Sequence, residues 1–337
     1  MKPTDLSTHL AGFLTHYLSA QRNLSPNTVR AYRDAFTLFL RFCRDRRGIP
    51  LDRLCLGNID VPLVEAFLDH LEGDRHGSVH TRNHRLSVLH SFFRYVQSEV
   101  PEHLDRCQRI LSIPLRRQPR KLVGYLSREQ LAEILAQPDL RRLDGRRDAV
   151  MLSVLYDTGA RVQELVDMTA GDVRLEPPAQ VRVFGKGRKM RAVPLMEPTA
   201  RLLRDHLREH GLDRAEKFDE PLFQNRQGGR LSRWGVRYIL DKHVRGARDA
   251  RPGFTQPVTP HTFRHTKGMH LLQAGVSLEI IRDFLGHEDV TTTQIYARAN
   301  LEMKRNALEK IADDHSPLPA VPSWKKDGDL LEWLTAL

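Results

Sequence analysis

The sequence predicts a mainly α-helical protein in two parts. The first is an all-helical domain. The second is a mixed α/β domain, mostly helical with one small antiparallel sheet. Three observations carry this prediction. Apolar residues recur at helical spacing through the first hundred residues, and nothing there alternates with a period of two. A stretch rich in Pro and Arg then interrupts the pattern near residues 112–124. Beyond it the helical spacing resumes, broken once by an alternating run that turns on Gly185-Lys186-Gly187.

The elements follow in order. Leu10, Phe13, Leu14, Tyr17 and Leu18 form one apolar face, and Val29, Tyr32, Phe36, Phe39 and Leu40 form another. Between them Ser25-Pro26 is a helix start, with a hydroxyl N-cap and a proline at the first helical position. Two more helices are expected over 61–72 and 79–99. Pro114, Pro119 and Gly124 stand among Arg116, Arg117, Arg120 and Lys121, and this basic, unpatterned run reads as a linker over 116–125. Ser127 with Gln130 three residues on forms a capping box. Helices are expected at 127–136, 144–158 and 161–169. Residues 179–194 read as a hairpin, in which Val181 and Val183 alternate with polar positions. Helices resume near 197–210, 232–246, 261–274, 277–285 and 291–311. The division is therefore 1–115, linker 116–125, 126–312, and a tail over 313–337 that ends in the amphipathic Leu330-Leu331-Glu332-Trp333-Leu334.

Composition narrows the function. The 337 residues carry 53 Lys and Arg against 42 Asp and Glu, a net charge of +11, and the pI is about 9.8. Such a surplus is the footprint of a polyanion binder. Residues 1–120 hold 18 basic and 12 acidic side chains, and the rest hold 35 and 30, so both parts are positive. Three cysteines, Cys43, Cys55 and Cys107, are an odd number without C-x-x-C spacing, which speaks against a disulfide framework or a zinc site and fits a reducing cytoplasm. No apolar run reaches the roughly 18 residues of a membrane helix, and the first residues do not open a signal peptide. The expectation is a cytoplasmic protein.

Four strings carry chemistry. In Thr158-Gly159-Ala160-Arg161 the arginine opens a helix after a glycine break, where its fork can meet a phosphate; taken alone it is more often a surface arginine paired with Glu164 or Glu176. Lys186 sits at the hairpin tip, in a turn that lacks the P-loop pattern. Pro260-His261-Thr262-Phe263-Arg264-His265 puts His261 and Arg264 on one helix face, a pair suited to a phosphate. His261 and His265 also have metal-ligand spacing, but no carboxylate cluster completes such a site. Leu285-Gly286-His287 ends one helix, and Thr291-Thr292-Thr293 opens another that carries Tyr296.

The order Arg … Lys … His-x-x-Arg … Leu-Gly-His … Tyr resembles the tyrosine recombinases, also called phage integrases. The likeness is detailed over about 126–300, in TGARVQEL, FGKGRKMRAVPL, HTFRHTKGMHLLQAG and LGHEDVTTTQIYA. SPNTVRAYRDAFTLFLRF resembles the family's core-binding domain. The resemblance implies a catalytic domain over 126–312 and a DNA-gripping domain over 1–115. It implies Tyr296 as nucleophile, Arg161 and Arg264 as phosphate clamp, Lys186 as general acid, and His261 and His287 as proton handlers. It implies cleavage and rejoining of double-stranded DNA without cofactor, metal or ATP, four protomers on two DNA sites (alike or mixed with related recombinases), and a Holliday junction between two strand exchanges. The task would be integration, excision or transposition of a mobile element, or resolution. The tail would dock on a neighbouring protomer. The rivals are a type IB topoisomerase with the same chemistry, a catalytically silent DNA-binding protein, and a metal-dependent nuclease. One departure stands out: Thr266-Lys267 occupies positions where the family often has a small or aromatic residue, and Lys267 is expected to face DNA or solvent.

Overall fold

The structure is a computed structural model, and it describes residues 3–118, 124–185, 189–251 and 254–286. The chain divides into two compact units, Met1–Arg120 and Lys121–Leu337.

The first unit is all-helical among its described residues. Helix α1 (Asp5–Gly12) runs into a π-helical segment (Phe13–Gln21) and is followed by α2 (Pro26–Arg47), α3 (Val61–Glu72), α4 (Val79–Glu99) and α5 (Leu104–Leu111). Hydroxyls or a carboxylate cap several starts, each accepting a backbone N–H of the first turn: Thr4 for α1, Ser25 for α2, Asp60 for α3 and Ser78 for α4. Gly48 ends α2 in the left-handed conformation at φ 64°. The apolar faces meet in an aromatic core. Phe13 packs edge-on against Phe36 and Phe92, and Phe39 packs edge-on against Phe67. Helix α5 was not anticipated; it lays Cys107 and Ile110 into the same core. Arg116, at the start of the basic run, pairs with Glu72 and Asp69 of α3, and Asn83 of α4 donates to its carbonyl.

The second unit begins with α6 (Arg128–Leu135), whose Ser127–Gln130 capping box forms as expected. Helices α7 (Leu143–Thr158) and α8 (Val162–Asp167) follow. Strands β1 (Val173–Arg174), β2 (Gln180–Phe184) and β3 (Met190–Pro194) make one antiparallel sheet in that order. Val183 faces Arg191 across β2 and β3, and Val181 faces Val193. Val181, Val183 and Val193 are buried while Arg182 and Phe184 point out, so the alternation read from the sequence is the sheet's inside and outside. Strand β1 was not anticipated. Helices α9 (Glu197–Glu209), α10 (Arg233–Ala250), α11 (Pro260–Gln273) and α12 (Leu278–Leu285) complete the described part. The main core joins α7, the sheet, α9 and α10, with Phe263 of α11. A smaller cluster of Met269, Leu272, Ile281 and Leu285 fastens α12 to α11.

Phe92 is fully buried and touches four rings. Phe92→Ala is expected to lower stability by about 3–5 kcal/mol. Urea denaturation of the full chain, followed by circular dichroism, measures this, and an unchanged midpoint would contradict the packing.

Candidate functional site

The site grows from the C-terminus of α12. The last carbonyls of a helix have no partner within it and carry the negative end of the helix dipole. Here three arginines supply donors. Arg191 of β3 donates from Nε to the Phe284 carbonyl at 3.1 Å. Arg264 of α11 donates from Nη2 to Leu285 O at 2.6 Å. Arg161 donates from Nη2 to Gly286 O at 3.2 Å.

Arg264 does more. Its Nη1 donates to Gly159 O at 2.8 Å, at the end of α7, so one guanidinium joins two helix C-termini. The residue is 1% exposed. Both helices end in a left-handed glycine, Gly159 at φ 56° and Gly286 at φ 65°. Space is tight at both positions as well. A Cβ at Gly159 would stand 2.6 Å from the Leu285 side chain, and one at Gly286 would stand 3.1 Å from Arg191 Nη1.

Arg161 is the N-cap residue of α8. Its Nη1 donates to Glu164 Oε1 at 2.7 Å, and its backbone N–H donates to Oε2 at 2.9 Å. Arg191 Nη2 donates to the same Oε2 at 2.8 Å. Glu164 is buried. Burial pushes its carboxyl up, but the Arg191 hydrogen bond and the Arg161 backbone N–H outweigh that, and the net value lies below the usual carboxylate range. The pairing of Arg161 with Glu164 therefore exists, and it leaves the Arg161 side chain 41% exposed.

His261 lies in the first turn of α11, at the surface. Thr259 caps that turn by accepting from the Thr262 N–H at 3.1 Å, and Pro260 occupies the first helical position. Desolvation of the ring, then the charges of Arg264 and Arg161, lower the His261 pKa, so the imidazole is neutral near pH 7. The His265 ring stands edge-on to it at 4.1 Å. Burial, then His261 and Arg264, push His265 down to about 4.

The structure thus brings Arg161, His261 and Arg264 together. Lys186, His287 and Tyr296 lie outside the described residues. Their approaches do not: a Cβ on Gly185 would stand 3.5 Å from Glu164 Oε1, and Gly286 accepts from Arg161. Glu164, as a hub, and Arg191 were missed from the sequence. The available signal for Arg191 was its place on the inward face of β3, two residues before the buried Val193.

Lys267 corrects an expectation. It faces neither DNA nor solvent; its side chain is 12% exposed and pairs with Asp157 at 3.6 Å. Its ammonium stands 4.7 Å from the Tyr156 ring centroid and 5.7 Å from that of Phe284. Burial lowers its pKa, against the pull of Asp157. Thr266 is fully buried; its hydroxyl accepts from Leu126 N–H and donates to Thr262 O. His270 bonds to Leu126 O through Nε2 and to the Tyr156 hydroxyl through Nδ1. A carbonyl only accepts, so Nε2 carries the proton and Nδ1 accepts from the tyrosine. The two unusual positions therefore fasten α11 to α7, to the chain before α6, and to α12. Among the described residues no three His, Cys, Asp or Glu side chains converge as a metal site, and no helix is long and apolar enough to cross a membrane.

Comparison with known proteins settles the class. The phage integrase family model matches residues 124–303, and the model for the phage integrase N-terminal SAM-like domain matches 11–100. The chain belongs to the phage integrase family, the tyrosine recombinases. The y4rC protein of Sinorhizobium fredii is 42% identical over 100% of this chain and 99% of its own length. Tyrosine recombinase XerC of Pelotomaculum thermopropionicum is 30% identical, over 90% of this chain and 97% of that protein. The fold resembles that of XerH site-specific recombinase bound to difH substrate, with a TM-score of 0.65 at 23% identity over 87% of this chain and 81% of that one. It also resembles the Tn1549 transposon integrase in complex with a circular intermediate DNA, with a TM-score of 0.67 at 16% identity over 92% of this chain and all of that one. This tyrosine recombinase is an enzyme of site-specific recombination, with the helical N-terminal and mixed catalytic domains expected of the family.

His265 gives the recombinase an acid sensitivity. Below its unfolded pKa, near 6.5, the unfolded chain takes up a proton that the folded ring refuses until about pH 4. Stability attributable to His265 is therefore full above pH 6.5 and lost as pH falls to 4, by about 3 kcal/mol. Denaturation midpoints between pH 7 and pH 4 should fall more steeply for the wild type than for His265→Gln. Parallel slopes would exclude this assignment.

Proposed function

We propose that this recombinase cleaves and rejoins double-stranded DNA at specific sites through a 3′-phosphotyrosyl intermediate on Tyr296. The observation that supports it is the convergence of Arg161 and Arg264 on the C-terminus of α12, with His261 near both guanidiniums. A phosphodiester carries one negative charge, and its five-coordinate transition state carries about two, so paired guanidiniums act where charge develops. The Tyr296 phenol oxygen attacks phosphorus, and its proton passes to a histidine, His261 or His287. The bond from phosphorus to the 5′ oxygen breaks, its electron pair leaves with that oxygen, and the Lys186 ammonium protonates it. One ester replaces another, so a 5′ hydroxyl from a second strand reverses the step without ATP.

On this reading residues 1–115 and 126–312 each hold the duplex, joined by the basic linker at 116–125. Both carry positive surplus, and the family's relatives include proteins whose structures hold DNA. Four protomers assemble on two sites and pass through a Holliday junction. The apolar residues Leu330, Leu331, Trp333 and Leu334 of the tail, 313–337, dock on a neighbouring protomer.

Two measurements test this. Wild type and Tyr296→Phe are expressed in cells, noncovalent complexes are stripped with SDS, and the DNA still attached is sequenced. Adducts at one defined sequence are expected with wild type and none with the variant. Adducts at scattered sequences would instead indicate a topoisomerase, and adducts on the variant would remove Tyr296 as nucleophile. Deleting 322–337 should weaken synaptic assembly in gel-shift assays and spare binding to a single site. Full synapsis by the truncated chain would end the docking idea.

A further inference from the structure

The arginine that sequence reading missed holds the hairpin to the site. Arg191 lies on β3, and Val183 of β2 is its partner across the ladder. The ladder ends at Phe184 and Met190, and Gly185 N–H donates to Lys189 O at 2.9 Å. Lys186 follows Gly185 directly. The described residues next to Lys186 therefore form a short neck. Within it, the Arg191 side chain reaches out of the sheet and takes two partners on other elements: Glu164 Oε2 of α8 at 2.8 Å, and Phe284 O of α12 at 3.1 Å. It is 12% exposed, and it packs close to both Gly185 and Gly286.

We propose that Arg191 is a positioning residue for strand cleavage: it bolts the neck of the β2–β3 hairpin to Glu164 and to the end of α12, so that Lys186 is delivered to the scissile phosphate. This rests on the reading of Lys186 as the general acid. Arg191 touches no reacting atom. Its effect is geometric, because a planar fork holds two acceptors at fixed angles and an ammonium does not. A misplacement of about 1 Å at a reacting group is worth on the order of a hundredfold in rate.

The test uses the full-length recombinase and a synthetic duplex carrying the cleavage site recovered by covalent capture. One version has the natural 5′ oxygen at the scissile bond, the other a 5′ bridging sulfur. A thiol has a pKa of about 8.5 and leaves as the thiolate without help from an acid. Lys186→Met is the control: slow on oxygen, near wild-type on sulfur. Arg191→Met is expected to lose on the order of a hundredfold on oxygen and to come within a few-fold of wild type on sulfur. That rescue also shows the variant folded and bound to DNA. Arg191→Lys keeps the charge without the fork and should remain slow on oxygen. If Arg191→Met is slow on both duplexes while Lys186→Met is rescued, Arg191 serves the phosphate clamp or the fold, and the proposal fails alone. Undiminished cleavage of the oxygen duplex by Arg191→Met, or full activity of Arg191→Lys, also overturns it. If sulfur fails to rescue Lys186→Met, the acid assignment itself falls and takes the proposal with it.

Discussion

The catalytic unit is organised around a buried cation. Arg264 is almost wholly enclosed. Its guanidinium meets the carbonyl ends of α7 and α12, where aligned peptide dipoles place partial negative charge. A buried charge without partners would be prohibitive. Here two helices converge on it, and both must end in left-handed glycines for their carbonyls to present in this way. Helix placement and charge placement are therefore one problem with one solution.

Glu164 plays the complementary part. Its carboxylate bonds to two of the three arginines, and it orients Arg161 through both side chain and backbone. Lys267, Thr266 and His270 then fix α11 from its other side, through Asp157, Leu126 and Tyr156. The residues that meet the α12 end belong to a helix, a strand and a helix cap, so rigid elements rather than loops set their spacing.

Much of this was legible in the sequence. The third and fourth helices stand at 61–72 and 79–99 as their apolar spacing and caps indicate. The hairpin, the Ser127 box and the Gly286 cap are equally plain, because local chemistry decides them. Strand β1 has two residues, too few for a period to emerge, and α5 lacks the serine N-cap that marks the equally short α6 and α12. The π-helical turn over Phe13–Gln21 keeps an apolar face that reads like any helix. Arg161, His261 and Arg264 were visible as short motifs. Glu164 as a hub, Arg191 and Lys267 were not, because their partners lie on other elements, 27 residues away for Arg191 and Glu164 and 110 for Lys267 and Asp157.

The carbonyl ends that hold Arg264 carry no net charge, and this has an electrostatic consequence. Three guanidiniums, Arg161, Arg191 and Arg264, meet the α12 end, and the Glu164 carboxylate pairs with the first two. Lys267 and Asp157 beside them cancel. Among the described residues, these groups bring three guanidiniums and one carboxylate to the α12 end, where the helix dipole is negative. The desolvation of the Arg264 cation is completed during folding, so its position and charge are set before any ligand arrives.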